Sequence, residues 1–292
     1  MRTLQLFLLA IFMAVGCKDK PAQSILEGEI TLLCDESLVP IIEDQIAVFE
    51  SDYRARINLK SLTEAEIVKT LLDQPGQVAI LSRDLSDAEV SHLTQKKIVP
   101  RRTIFAKDAV AFVRKKSSDT LIRLDDIIAF AKGNKVDGIE GLVFDNLNSG
   151  TYRVIAELAG FTEVPSNGFF SFTTNREAME YVAQNSGVVG VIGYNWLTQP
   201  SEDMQPVVKE LSILGVKGEG GEYYLPTQEN LGMGKYPLAR NLFLIDCQGK
   251  EGPAMGFASF IAGERGQRII LQSGLMPIRM PSRSIVTRKS IE

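Results

Sequence analysis

The chain has 292 residues, of which 23% are charged and 45% hydrophobic, and its formal net charge is −4. That length supports one large or two medium cores, and the acidic balance, without any basic stripe interleaved with aromatics, excludes a nucleic-acid surface. One histidine and three cysteines leave no cluster from which a zinc site could be built. A Ser-His-Asp hydrolase would have to use His92, and no Gly-x-Ser-x-Gly turn, phosphate loop or dinucleotide fingerprint occurs. Neither enzyme chemistry nor a cofactor is expected.

Taken in chain order, Arg2 opens an apolar run to Val15 broken only by Thr3 and Gln5. It is too short to span a bilayer, which needs ~20 residues, and fits the core of a signal peptide. Ala14-Val15-Gly16-Cys17 is similar to the lipobox of bacterial lipoproteins. That likeness implies cleavage after residue 16, lipidation of Cys17, a tether over residues 17–27, and a protein exported and held to a bacterial membrane, facing the periplasm.

Strands and helices then alternate. Glu29–Cys34 reads as a strand, Ser37–Phe49 as a helix, and Ala55–Leu59 as a short strand. Thr63-Glu-Ala-Glu66 and Ser86-Asp-Ala-Glu89 are capping boxes opening two further helices, one on each side of the strand Gln77–Leu81. His92 falls on a polar face of the second. Beyond Pro100 an extended stretch around Ala109–Val113 leads into a second set: a helix over Leu121–Phe130, a strand at Leu142, a helix after Thr151, another over Arg176–Ala183 and a strand within Gly187–Gly193. This alternation predicts an α/β fold with mixed, mostly parallel sheets covered by helices. Cys34 and Cys247 both end apolar runs and are read as buried thiols, although an exported protein could also join them.

The polar loops fall where strands end and helices begin: Asp35-Glu36-Ser37, Ser61-Leu62-Thr63, Ser82-Arg83-Asp84 and Asn148-Ser149-Gly150-Thr151. In open α/β sheets such ends form the ligand crevice. A helix start has backbone N–H groups without internal partners and a dipole that favours negative charge. Gly150 lets a ligand approach the backbone, and the neighbouring hydroxyls add short donors. Each loop alone could be a helix cap; four together predict an anion held between two lobes, with Ser37, Thr63, Ser82, Arg83, Asn148, Ser149, Gly150 and Thr151 as candidate ligands.

With Ser149-Gly150-Thr151, Gly190-Val-Ile-Gly-Tyr194, Tyr236-Pro-Leu-Ala-Arg240, Gly256-Phe-Ala-Ser-Phe-Ile261, Gly266-Gln267 and Gly274-Leu-Met-Pro277 in this order, the chain resembles the phosphate-binding proteins of high-affinity phosphate ABC transporters. The resemblance implies a two-lobed type II periplasmic binding protein with crossings near Phe105–Asp108 and Tyr236–Arg240. Residues 28–105 plus 241–292 would form lobe 1, and residues 106–240 lobe 2. It further implies capture of inorganic phosphate by interlobe closure, delivery to an inner-membrane ABC permease, and a monomer. Ser149, Gly150 and Thr151 match the family's anion turn, and Ser37 falls on its first anion loop. The arginine that often precedes this turn is missing from Asp145-Asn-Leu-Asn148, so Arg83 is expected to supply the cleft's positive charge. Glu36, Asp84 and Asp145 would accept the proton of HPO₄²⁻ and so exclude sulfate. Another oxyanion, a small phosphorylated solute, or an accessory surface lipoprotein with the same fold are the alternatives.

Overall fold

One strand, Arg101–Lys115 (β4), ties the two halves of the molecule together. In this computed structural model, which describes residues 24–161, 167–217 and 221–282, β4 pairs along its first part with Ala239–Asp246 (β12) and along its last part with Val188–Gly193 (β8) and Leu211–Ile213 (β9). The apolar signal at Ala109–Val113 marks only the middle of this strand. Its first four residues are largely exposed, so their pairing leaves little apolar trace in the sequence.

On one side of this seam β12 continues into Val78–Leu81 (β3), Glu27–Asp35 (β1) and Arg54–Leu62 (β2). On the other, β8 continues into Gly141–Phe144 (β6) and Phe169–Ser171 (β7). The outer pairs β1/β2, β1/β3, β6/β8 and β6/β7 are parallel; the pairs of β12 with β3 and β4, and of β4 with β8, are antiparallel. Strands β3, β6 and β8 are buried at every position, as parallel strands covered on both faces should be. The mixed α/β architecture expected from the alternation is what is observed.

Both capping boxes form. Thr63 and Glu66 bond reciprocally at the start of helix Glu64–Asp73, and Ser86 and Glu89 do so at helix Asp87–Gln95. The Ser37 helix begins instead with a 3-10 turn, Glu36–Leu38, before helix Val39–Asp52, because the Asp35 side chain accepts from Ser37 N–H and tightens the entry. The helix expected over Leu121–Phe130 is shorter. Leu121–Ile122 is a strand paired with Gly215–Lys217, and the helix runs Leu124–Ala131. An apolar pair is compatible with either state, and the non-local partner decides.

The cores fall on either side of the seam. Leu32, Phe49, Phe257 and Ile270 belong to a cluster in the first half, and Phe112, Phe144, Ile155 and Val191 to one in the second. Tyr194 packs against both, and against a third cluster under helix Asn175–Gln184. Cys34 and Cys247 are buried and free. His92 is exposed. Among the described residues no helix is long and apolar enough to cross a membrane; the leader, Cys17 and most of the tether lie outside the described residues.

Candidate functional site

The carboxyl ends of β1, β3, β6 and β8 meet at the seam, and the residues that follow them face one another across it. Helix Gly150–Ala159 starts there, capped by Ser149, whose hydroxyl oxygen accepts from Tyr152 N–H. Gly150 is in close contact with the opposite half: a side chain beginning there would lie 2.3 Å from Ser82 Oγ and 2.8 Å from both Asp35 Oδ2 and Glu64 Oε2. The absent Cβ is what lets a helix N-terminus come so near the other lobe.

Five carboxylates converge on this spot: Asp35, Glu36, Glu64, Asp108 and Asp145. Asp35, Glu64, Asp108 and Asp145 are buried and Glu36 is partly buried. Asp145 follows β6 and accepts from Ser149 Oγ (2.7 Å), Thr151 Oγ1 (2.5 Å) and Asn175 Nδ2 (3.1 Å). Asn175 also donates to Glu36 from across the cleft, through Nδ2 (2.5 Å) and its backbone N–H (3.1 Å). Burial, reinforced by Asp145, pushes Glu36 up to about 8 despite those bonds. Burial and the nearby Glu64 raise Asp35 to about 7, with Arg240 pulling the other way. Burial also raises Asp145 and Asp108. Glu64 behaves oppositely: burial works to raise it, but Arg153, Ser82 and Arg83 together hold it below its ordinary value.

Three guanidinium groups answer them. Arg240, at the start of β12, bonds Asp108 Oδ2 through Nη2 (2.8 Å) and Nε (3.1 Å), and donates to Ser37 Oγ (3.1 Å). Its Nη1 has no hydrogen-bond partner, nor does Asp35 Oδ2 or Asn195 Oδ1, although all three are buried. Arg153 reaches across the seam to Glu64 (Nε to Oε1, 2.5 Å). Arg83 divides itself between Glu89 (2.7 Å) and Glu64 (3.3 Å). Arg153 and Arg83 are also paired with Glu157 and Glu89, so acids outnumber bases around the spot, and the raised values of Asp35 and Glu36 favour their protonated forms.

The candidate residues fall unevenly in this geometry. Ser37, Ser82, Ser149, Gly150 and Thr151 lie at the meeting point. Ser37 N–H donates to Asp35 Oδ1 (3.1 Å), its carbonyl accepts from Asn195 Nδ2 (2.5 Å), and Ser82 donates to Glu64. Thr63 spends its hydroxyl on Glu66, and it is the next residue, Glu64, that turns into the cleft. Asn148 is exposed and takes part through its carbonyl, which accepts from Ala65 N–H across the lobes (3.2 Å). Arg83 is tied to Glu89 and the Asp84 carbonyl, because the capping-box glutamate presents its carboxylate on that side. The cation placed deepest is Arg240. Asp84 pairs with Arg102 in a half-exposed contact, away from Asp145. Trp196 donates from Nε1 to the Glu36 carbonyl (3.3 Å). Among the described residues no group of three His, Cys, Asp or Glu side chains is placed to hold a metal ion.

Glu64, Arg153, Asn175 and Arg240 were not singled out as ligands by sequence. Arg240 did carry a signal, as the last residue of Tyr-Pro-Leu-Ala-Arg, and Arg153 lies three residues after Gly150, on the first turn of helix Gly150–Ala159. Beside the meeting point a groove of about 570 Å³ runs between helices Glu64–Asp73 and Gly150–Ala159, lined by Val68, Lys69, Leu72, Arg83, Tyr152 and Arg153 among others.

The model of the PBP superfamily domain matches residues 20–265. The chain belongs to that superfamily. No curated protein matches it in sequence. Among solved structures it is similar to a candidate phosphate ABC transporter substrate-binding protein with bound phosphate from Clostridium perfringens, at 18% identity over 86% of this chain and 100% of that one, with a TM-score of 0.69. It is also similar to an ABC-type phosphate transport receptor from Vibrio cholerae (16% identity, 86% and 100% covered, TM-score 0.63) and to PstS from Borrelia burgdorferi (20%, 87% and 100%, TM-score 0.52). At such identities the likeness is one of fold, and it is the two-lobed PBP arrangement with its cleft that these proteins share with this chain.

Proposed function

We propose that this protein is a lipid-anchored solute-binding protein that captures inorganic phosphate between its lobes and delivers it to an inner-membrane ABC permease. The observation that carries the reading is the cleft itself. The N-terminus of helix Gly150–Ala159 and the Ser149, Thr151, Ser37 and Ser82 hydroxyls surround buried polar atoms of Asp35, Arg240 and Asn195 that have no protein partner. Phosphate is the ligand of one similar structure by its description. Closure moves residues 28–105 plus 241–292 as one body against residues 106–240, and the closed form is the one a permease recognises. Lipidation at Cys17, with a periplasm-facing monomer, completes the proposal.

Phosphate binds here without the arginine usual before the Ser-Gly-Thr turn. Neutral Asp35 and Glu36 serve as O–H donors, beside Arg240 and the helix N-terminus. Calorimetric titration of protein freed of bound anion is expected to show phosphate binding and no heat with sulfate: Asp35 and Glu36 as donors would serve either anion, so the exclusion falls to Asp145, to which sulfate brings no O–H. Silence with both anions would overturn the reading. The groove beside Ser149 favours a second reading, a small phosphorylated solute whose organic part lies along Tyr152, Val68 and Leu72; competition by phosphomonoesters against phosphate distinguishes the two.

The same acids set the pH dependence. Asp35 at about 7 and Glu36 at about 8 bind protons more tightly in the folded chain than in the unfolded one. Between about pH 4.5 and 8 the folded state therefore holds more protons, and its stability falls as pH rises through that window. Phosphate affinity is expected to fall at least ten-fold from pH 6 to pH 9, as the two donors become charges facing Glu64 and Asp145. Affinity that stays flat, or rises, would remove the neutral acids from the binding scheme. In the double variant Asp35→Asn, Glu36→Gln the dependence should flatten.

A further inference from the structure

We infer that Glu64 is an internal occupant of the anion seat: a carboxylate supplied by the chain itself, which holds the cleft shut and which incoming phosphate must displace. The inference rests on the phosphate reading for the identity of the displacing ligand. Its geometry stands apart from that reading.

Helix capping does not account for where Glu64 points. Two helices in lobe 1 start with complete capping boxes, and in both the third helical residue, Glu66 or Glu89, does the capping. The first helical residue is Asp87 in one and Glu64 in the other. Asp87 is exposed, as an acidic side chain in a first turn ordinarily is, whereas Glu64 is 3% exposed. Burying a carboxylate is costly unless its partners compensate, and those of Glu64 are the set an oxyanion would seek. Ser82 Oγ donates at 2.8 Å, Arg83 Nε at 3.3 Å, and Arg153 at 2.5 Å through Nε and 3.4 Å through Nη2. Oε2 also sits 2.8 Å from where a Gly150 side chain would begin, against the helix start that favours negative charge. A hydroxyl, two guanidiniums and a helix N-terminus form an anion site, and a glutamate fills it.

The occupant also joins the lobes. Arg153 belongs to lobe 2 and Glu64 to lobe 1, and the adjacent Ala65 N–H donates to the Asn148 carbonyl across the same gap. Glu36 with Asn175, and Trp196 with the Glu36 carbonyl, extend this protein-only closure. Displacement has somewhere to go, because Glu64 already lines the groove that Lys69 shares. A phosphate entering the seat inherits Arg153, Arg83 and Ser82, and Glu64 turns outward toward Lys69. A binding protein built this way rests closed and exchanges one anion for another, so ligand affinity is set by competition with its own side chain.

The test is phosphate titration of wild type, Glu64→Gln and Glu64→Ala, each stripped of anion and checked by thermal unfolding. Trp196, the single tryptophan, reports closure through its contact with lobe 1. Glu64→Gln keeps the shape and removes the charge; it is expected to bind phosphate at least ten-fold more tightly than wild type. It should also show a phosphate-dependent change in Trp196 fluorescence that wild type, already closed, largely lacks. Should the glutamine variant fold poorly, the alanine variant gives the same comparison of affinities. Equal or weaker binding by the folded variants, beside a wild type that binds phosphate, overturns the occupant and leaves the phosphate reading standing. Failure of wild type and variants alike to bind phosphate overturns the phosphate reading and the exchange built on it.

Discussion

Gly150→Ala is expected to lower phosphate affinity at least a hundred-fold while leaving each lobe folded. Two effects oppose each other at this residue. Gly150 is the first residue of helix Gly150–Ala159, and alanine is intrinsically better than glycine in a helix by about 1 kcal/mol, so lobe 2 alone loses nothing. The new methyl, however, would begin 2.3 Å from Ser82 Oγ and 2.8 Å from Asp35 Oδ2 and Glu64 Oε2. The Ser82 hydroxyl can rotate away. Asp35 cannot easily move, since its other oxygen accepts from Ser37 N–H and the residue is completely buried. The lobes must then stay apart by the width of a methyl group, and every bond spanning the cleft lengthens together. Calorimetry with phosphate, combined with Trp196 fluorescence, checks this; an alanine variant that closes and binds like wild type would show that the contact at Gly150 does not govern closure.

Arg240→Met is expected to destabilise the folded chain by about 3–5 kcal/mol, the range for removing one partner of a buried ion pair. The Arg240 and Asp108 side chains are 5% and 0% exposed. Without the guanidinium, Asp108 is left in a site where burial already raises its pKa. Phosphate affinity should fall as well, because Arg240 is the most deeply buried of the three guanidinium groups at the cleft. A second substitution separates the two losses: Arg240→Met with Asp108→Asn should recover most of the stability and none of the affinity. Thermal or denaturant unfolding measures the first and titration the second. Recovery of both would assign Arg240 to the architecture alone, while a single variant as stable as wild type would contradict the burial argument.

How much of this was legible in the sequence follows from the range of each interaction. Thr63 and Ser86 announced their helices because a capping box is complete within four residues. Ser149-Gly150-Thr151 announced the start of helix Gly150–Ala159 for the same reason. The mixed sheet followed from alternation, since strand and helix periods are local properties. Glu64 did not announce itself. Its partner Arg153 lies 89 positions away, and nothing within its own turn distinguishes it from Asp87. Arg83 was assigned the cleft's positive charge because it follows β3, and so it does; but Glu89, placed by its own capping box, takes two of its nitrogens. Arg240 meets Asp108 across 132 positions, and only the pairing of β12 with β4 brings them together.

That pairing has a mechanical consequence. The lobes are joined where Ala239–Asp246 pairs with Arg101–Ala109, a ladder whose register shifts between Leu242 and Phe243 and to which Met276–Pro277 adds a short strand at Ala106 and Lys107. A ribbon can be twisted without breaking its ladder, so opening stores elastic torsion instead of severing main-chain bonds, and the irregular step is where the twist concentrates. On this view the connection acts as a torsion spring whose softest point is the irregular step beside Leu242. Amide exchange should accordingly stay slow along the ribbon even in conditions where cleft-facing amides such as Ala65 exchange with every opening.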